Sequence, residues 1–186
     1  MSPFAQKRRP DSRRSGFTLL ELMLAMVVLT LAVGMLATSM GSLGSIGSQQ
    51  SERAEASEAA RTVLERMRNV PFDDIFATYN ADPADDPDGE GTAPGCHFSA
   101  GDLEAWEGDE DGFVGYIYFP GNGLELREDT THEMLGLPRD LDLDGAIESV
   151  DVSADYRILP VEVRVEWTSR GARREYRVWT QFAPLL

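Results

Sequence analysis

Arg13-Arg14-Ser15-Gly16-Phe17-Thr18-Leu19-Leu20-Glu21-Leu22 opens an apolar run that continues to Leu36. A basic segment ends at one glycine, and about twenty nearly uncharged residues follow it. At 1.5 Å per residue such a helix spans roughly 30 Å, the thickness of a bilayer core. Glu21 is the one charge inside the run. A carboxylate at membrane depth costs about 2.5–3.5 kcal/mol or more, so it calls for a partner and a task.

Three ordinary explanations of this run fit poorly. A secretory signal has a shorter apolar core and a small-residue cleavage site beyond it. Here the core is long and ends in Gly34-Met35-Leu36-Ala37-Thr38-Ser39-Met40, without such a site. A twin-arginine signal has Ser12-Arg13-Arg14 to start from, but the residues after it do not suit. A plain signal anchor matches the hydropathy and explains neither Gly16 nor Glu21.

Gly16-Phe17-Thr18-Leu19-Leu20-Glu21 resembles the leader junction of type IV pilins and type II secretion pseudopilins. The resemblance implies that residues 1–16 are a leader. A prepilin peptidase would cut on the cytoplasmic side after Gly16 and N-methylate the new terminus, Phe17. It further implies that Glu21 pairs with the terminal amine of a neighbouring subunit. The physics agrees, because each charge is costly in an apolar setting unless it meets the other. The implied partners are prepilin peptidase, other pilins or pseudopilins, an inner-membrane assembly platform and the membrane.

Residues 1–15 carry five basic residues, which keep this end cytoplasmic by the positive-inside rule. The expected location is therefore the bacterial inner membrane, single-pass, with a periplasmic or extracellular head, and later a pilus or pseudopilus. The chain has 186 residues and a formal charge of −15. Loss of residues 1–16 removes Lys7, Arg8, Arg9, Arg13, Arg14 and Asp11, leaving 12 basic and 31 acidic residues and a net charge of −19. That balance speaks against a nucleic-acid surface, which needs clustered Lys and Arg. Cys96 is the single cysteine, so no intramolecular disulfide forms. Many pilins staple their C-terminal loop with one, and this chain departs from that pattern.

Residues 17–40 read as the membrane or filament-core helix. Gly41, Gly44 and Gly47 follow at spacings of three. They mark either a flexible juncture or a helix that unwinds locally, since Gly costs a helix about 1 kcal/mol relative to Ala. In the amphipathic half, residues 41–70, Ala56, Ala59, Ala60, Val63, Leu64 and Met67 make one apolar stripe. Pro71 ends the helix.

Residues 71–186 read as a globular head. Its first part has no steady period: between Asn69 and Leu124 lie 13 acidic residues and no Lys or Arg, which reads as a solvated loop. Residues 113–119 read as a strand and 124–127 as a short return strand. Val161, Val163, Val165 and Trp167 alternate with Glu162, Arg164 and Glu166. Tyr176, Val178, Thr180 and Phe182 alternate with Glu175, Arg177, Trp179 and Gln181. This is a hairpin with one face inward and Glu/Arg pairs on the outer face, each worth at most a few tenths of a kcal/mol. Strand, Trp-Thr-x-x-Gly turn and strand also resemble the C-terminal hairpin of minor pilins and pseudopilins. The expected fold is α+β, a long N-terminal helix packed on a small antiparallel sheet.

Asp140-Leu-Asp142-Leu-Asp144-Gly145-Ala146-Ile-Glu148-Ser-Val-Asp151 has the spacing of a twelve-residue calcium loop. Asp stands at positions 1, 3 and 5, Gly at 6, and Ala146 offers its carbonyl from position 7. The expected ligands are Asp140, Asp142, Asp144, Ala146, Glu148 and Asp151. Pro138 before the loop and a strand-like run after it argue for a lone structural calcium loop that stands in for the missing disulfide. An acidic turn without metal has the same residues.

His97 and His132 are the only histidines, and neither lies in a zinc-protease motif; no phosphate-binding or nucleophile-elbow motif is present. The expected function is that of a non-enzymatic minor pilin or pseudopilin. The alternative is a signal-anchored extracytoplasmic calcium-binding module that does not polymerise.

Overall fold

The computed structural model describes residues 18–106, 108–109 and 111–184, without the side chains of 38–46. Residues 1–17, including the expected leader, Gly16 and Phe17, lie outside the described residues. The chain divides into two compact units, Met1–Gly47 and Ser48–Leu186.

Helix α1 is Leu19–Arg68. Its backbone is helical through the glycines of residues 41–47. In the first unit, Leu19–Ala37 is long and apolar enough to cross a membrane, with a mean hydropathy of 2.4 and no part of it buried. Leu20, Met23, Leu24, Val27 and Leu31 are all more than half exposed. Such a surface is far larger than a soluble chain normally leaves in water.

In the second unit the apolar stripe of α1 does what its period predicts. Ala56, Ala60, Val63 and Met67 are buried, and Ala59 and Leu64 pack half-buried beside them. The helix ends where Pro71 forbids another turn. Asn69 Nδ2 donates to the Glu65 carbonyl at 2.9 Å, and Arg66 and Arg68 place positive charge on the last carbonyls.

The sheet has four antiparallel strands in the order β1 (His97–Phe98), β2 (Gly115–Tyr118), β3 (Leu159–Ser169) and β4 (Ala172–Phe182). Residues β3 and β4 join through Arg170 and Gly171, both at positive φ, a primed two-residue turn whose twist suits the strands. The inward set of β3, Val161, Val163, Val165 and Trp167, is buried as expected. Trp167 Nε1 donates to Glu52 at 3.1 Å, and Ser57 Oγ donates to the Tyr176 hydroxyl at 3.1 Å, so helix and sheet are also held by polar contacts.

Three expectations need correction. The predicted strand at 113–119 is shorter, Gly115–Tyr118, and 124–127 forms only an isolated bridge from Leu126 to Gly121. The acidic stretch after Pro71 is more than a solvated loop. It carries a short helix α2, Ile75–Tyr79, that buries Ile75, Phe76 and Tyr79. Phe76 meets Phe119 edge-on at 5.1 Å, and the buried Tyr156 hydroxyl donates to the Phe72 carbonyl at 2.6 Å. Finally, the outer face of β3 is covered: Glu162 is only 1 % exposed.

Candidate functional site

At the start of α1, Thr18 caps the helix. Its carbonyl accepts from the amides of Glu21 and Leu22 at 3.1 Å, and its hydroxyl accepts from Glu21 N at 3.3 Å. Glu21 therefore sits in the first turn, where the helix dipole favours a negative charge by about 0.3–1 kcal/mol. The residue is exposed, and its carboxylate has no partner among the described residues. Gly16 and Phe17 lie outside them.

The acidic loop keeps the turn that its spacing suggests, but only two of its six expected ligands converge. Asp140 accepts from Leu143 N at 2.6 Å through Oδ1 and from Gly145 N at 2.9 Å through Oδ2. Asp142 Oδ1 accepts from Asp144 N at 3.0 Å, and Asp144 Oδ1 from Ala146 N at 2.8 Å. Gly145 has φ +97°, a conformation that a side chain would strain. Of the six expected ligands, Asp140 and Asp142 converge, and Glu128 joins them with oxygens all within 4.8 Å of one another. Glu128 is 1 % exposed and ties the loop down: Oε1 accepts from Leu141 N at 2.5 Å and Oε2 from Glu148 N at 3.0 Å. Asp151 turns elsewhere, accepting from Leu126 N and Ser153 N at 3.0 Å. The Glu148 side chain is exposed.

The electrostatics of this cluster are those of an oxygen site short of positive charge. The Asp144 amide lowers the Asp142 pKa, but burial and the Asp144 and Glu128 carboxylates outweigh it and hold Asp142 above the usual aspartate value. An all-oxygen donor set fits a hard cation such as calcium and not a thiophilic metal. Glu128 has no signal in the sequence, since it lies twelve residues before the loop among residues without a period.

A third cluster occupies the outer face of the sheet. Glu162 Oε1 accepts from Arg164 Nη2 at 2.7 Å, while Oε2 lies 3.0 Å from His132 Nε2 and 3.1 Å from Trp179 Nε1. The Arg164 guanidinium stacks on Tyr118 at 4.4 Å. Burial pushes the Glu162 carboxyl up, but the Arg164 hydrogen bond and charge, with Trp179 and Arg177, hold it below the usual glutamate value. The cluster is a structural ion network, with every Glu162 oxygen engaged.

Cys96, His97 and Asp111 line a cavity of about 510 Å³ and invite comparison with a nucleophile–base–acid trio. The geometry speaks against it. Cys96 Sγ lies 3.5 Å from His97 Nδ1 and 3.8 Å from Nε2, so the sulfur sits over the ring face, where no lone pair can take its proton. Burial also pushes the thiol pKa up, away from the thiolate.

In comparison with known families, residues 11–37 match the family described as the prokaryotic N-terminal methylation motif. No curated protein and no solved structure matches the chain. The matched stretch includes Gly16, Phe17 and Glu21. The chain is α+β, an N-terminal helix with an apolar first part and a four-stranded antiparallel sheet, consistent with a pilin-like fold. A prepilin-type methylation motif leading into an exposed apolar helix supports the type IV pilin and pseudopilin-like family for this chain.

Proposed function

We propose that this chain is a minor pilin or pseudopilin, a structural subunit matured by prepilin peptidase and built into a type IV pilus or a type II secretion pseudopilus. The observation that carries the reading is the methylation motif at residues 11–37, followed by an apolar helix none of whose residues is buried. Cleavage after Gly16 creates a cationic terminus at Phe17. Glu21, exposed and without a partner among the described residues, is the charge that meets it on the adjacent subunit. The pair sets register between subunits, because each charge is costly alone in an apolar filament core. Burial of the apolar helices against one another supplies the main driving force once they leave the membrane. The head stands on the periplasmic or extracellular side, and the assembly platform of the inner membrane is the machine that extracts the subunit.

In this reading the loop 140–151 is a structural calcium site. Asp140, Asp142 and the buried Glu128 supply converging carboxylates, Asp144 and the Ala146 carbonyl follow in the loop order, and Glu148 and Asp151 are the outer candidates. The ion would relieve repulsion between carboxylates already gathered by backbone amides.

The deciding experiment is the mass and N-terminal sequence of the protein from native membranes, with and without prepilin peptidase. The expected product begins at N-methyl-Phe17 only when the peptidase is present. A chain that keeps residues 1–16 in both would leave a signal-anchored calcium-binding module that does not polymerise. Replacement of Gly16 by a bulky residue is expected to block processing. Loss of Glu21 is expected to spare membrane insertion and impair incorporation into filaments.

A further inference from the structure

The cavity of about 510 Å³ at Cys96 and His97 adjoins a second of about 360 Å³, and the two share Asn80, Ala81, Cys96 and His97. Neither belongs to the leader or to the loop 140–151. Among the described residues their lining carries three carboxylates, Asp82, Asp86 and Asp111, and no lysine or arginine. The shortage is regional, since 13 acidic residues and no basic one lie between Asn69 and Leu124. One wall is aromatic. His97 stacks on Phe113 at 5.0 Å and meets Tyr116 edge-on at 5.3 Å, and Tyr116 stacks on Tyr118 at 6.1 Å. Tyr118 is 39 % and Phe113 44 % exposed, so much of this wall faces water. The chain itself shows what such a wall attracts: the Arg164 guanidinium lies over the Tyr118 ring, 4.4 Å from its centroid.

Hydrogen-bond acceptors outnumber donors here. The Tyr116 hydroxyl has one proton and three acceptors around it: Asp109 Oδ2, Asp111 Oδ1 at 3.0 Å and the Phe113 carbonyl at 2.9 Å. Burial and the two carboxylates push the Tyr116 pKa up, so the hydroxyl keeps that proton and serves one acceptor at a time. Asp111 Oδ1 also accepts from Phe113 N at 2.9 Å, and its Oδ2 lies 3.4 Å from His97 Nε2. Asp82 and Asp86 accept backbone amides, from Ala84 at 2.9 Å and from Ala93 at 3.0 Å. A ligand that fits this site brings both positive charge and several donors.

Among the described residues the close carboxylate group of the kind that holds a metal ion is Glu128, Asp140 and Asp142, whereas the carboxylates of these cavities are spread along an aromatic wall. That spread suits a larger, flat cation. A guanidinium is planar, stacks on aromatic rings and offers five donors to carboxylate edges, while an ammonium is a compact, strongly hydrated point charge. We propose that the larger cavity takes an arginine side chain presented by another protein, with Asp111 as its carboxylate partner and Tyr118 as its ring platform. The partner's flanking backbone amides lie along the second cavity, where Asp82 and Asp86 accept from them. An arginine seated in a pocket of opposite charge is the kind of contact that anchors a protein interface. The site belongs to the head alone and does not rest on the filament reading.

The test titrates N-acetyl-arginine amide into the full chain in detergent micelles and follows the backbone amides of Tyr116, Tyr118 and Gly121 by NMR. Saturable shifts at these amides are expected, with a dissociation constant in about the millimolar range, as suits a single anchoring side chain. N-acetyl-citrulline amide, which has the same shape without the charge, is expected to bind about tenfold more weakly. Asp111→Asn and Tyr118→Leu, each checked for folding by circular dichroism, are expected to weaken arginine binding by about tenfold, and Tyr118→Phe, which keeps the ring, by less than about twofold. Asp88→Asn removes the same charge from an exposed position outside both cavities and is expected to leave binding within about twofold of wild type. Equal binding of the citrulline amide, or equal weakening by Asp88→Asn and Asp111→Asn, would overturn the proposal and leave only the general attraction of an acidic chain for cations. The same shifts on raising the protein concentration alone would assign the arginine to a second copy and overturn the assignment to another protein. The assay reads the head and not the leader, so its failure and a failure of processing at Gly16 are told apart.

Discussion

The N-terminal segment and the head both place a carboxylate among apolar residues, and they treat it in opposite ways. Glu162 is buried under Arg164, Trp179 and His132, with each oxygen engaged inside the chain. Glu21 lies on an exposed apolar helix and finds no partner among the described residues. The same contrast holds for apolar side chains. Val161, Val163 and Val165 are fully buried, whereas no residue of Leu19–Ala37 is. The head supplies its own partners, and the N-terminal segment requires them from a membrane or from other subunits.

The contrast breaks most sharply at Glu162. Glu162→Ala is expected to cost about 3 kcal/mol, because it removes the carboxylate that His132, Arg164 and Trp179 share and leaves Arg164 only its longer contact with Glu166 at 3.7 Å. Urea unfolding of the full chain in detergent, followed by tryptophan fluorescence, measures it; a loss below about 1 kcal/mol would place this network with ordinary surface ion pairs.

The calcium loop gives the next largest effect. Calcium at about 100 times its dissociation constant is expected to stabilise the folded chain by about 2.7 kcal/mol, with no such shift after Asp140→Asn or Glu128→Gln. Thermal unfolding with calcium and with a chelator reads this directly. An identical midpoint in both would leave the loop as an acidic turn.

Acid acts through the Glu162 cluster. Glu162 is held below its ordinary value when folded. Its stabilisation is therefore complete above the unfolded glutamate value and is lost as pH falls through the folded one. Wild type is expected to lose stability on acidification below the ordinary carboxylate range more steeply than Glu162→Gln. Parallel pH profiles would contradict this.

Two smaller effects sharpen the comparison. Glu21→Ala is expected to leave the unfolding of the head within about 0.5 kcal/mol of wild type while assembly fails, because under the proposed function its partner lies on another subunit. A larger loss would mean that Glu21 serves the fold. Arg61→Ala, which removes an exposed pair with Glu65 at 3.1 Å, is expected to cost about 0.3–0.5 kcal/mol. Chemical unfolding resolves both.

What was legible in the sequence was local. The leader junction needs only Gly16, Phe17 and Glu21 at fixed spacing before an apolar run. The helix stripe at Ala56, Ala60, Val63 and Met67 and the alternation in β3 are periodicities of 3.6 and 2, and each repeats within a few residues. Arg170-Gly171 sits where a hairpin must turn. These features follow from backbone geometry and from which side chains water rejects.

What only the tertiary structure decided came from distant segments. Glu162 reads as an outward charge until His132, thirty residues away in the chain, closes over it. Glu128 reads as a loop residue until Leu141, Asp142 and Glu148 fold back onto its oxygens. Ile75, Phe76 and Tyr79 sit in an acidic stretch without a period, and they enter the core because Phe119 and Tyr156 arrive there from later in the chain. No local spacing encodes such meetings, because a buried charge or a short helix is stable only when long-range packing brings its partners.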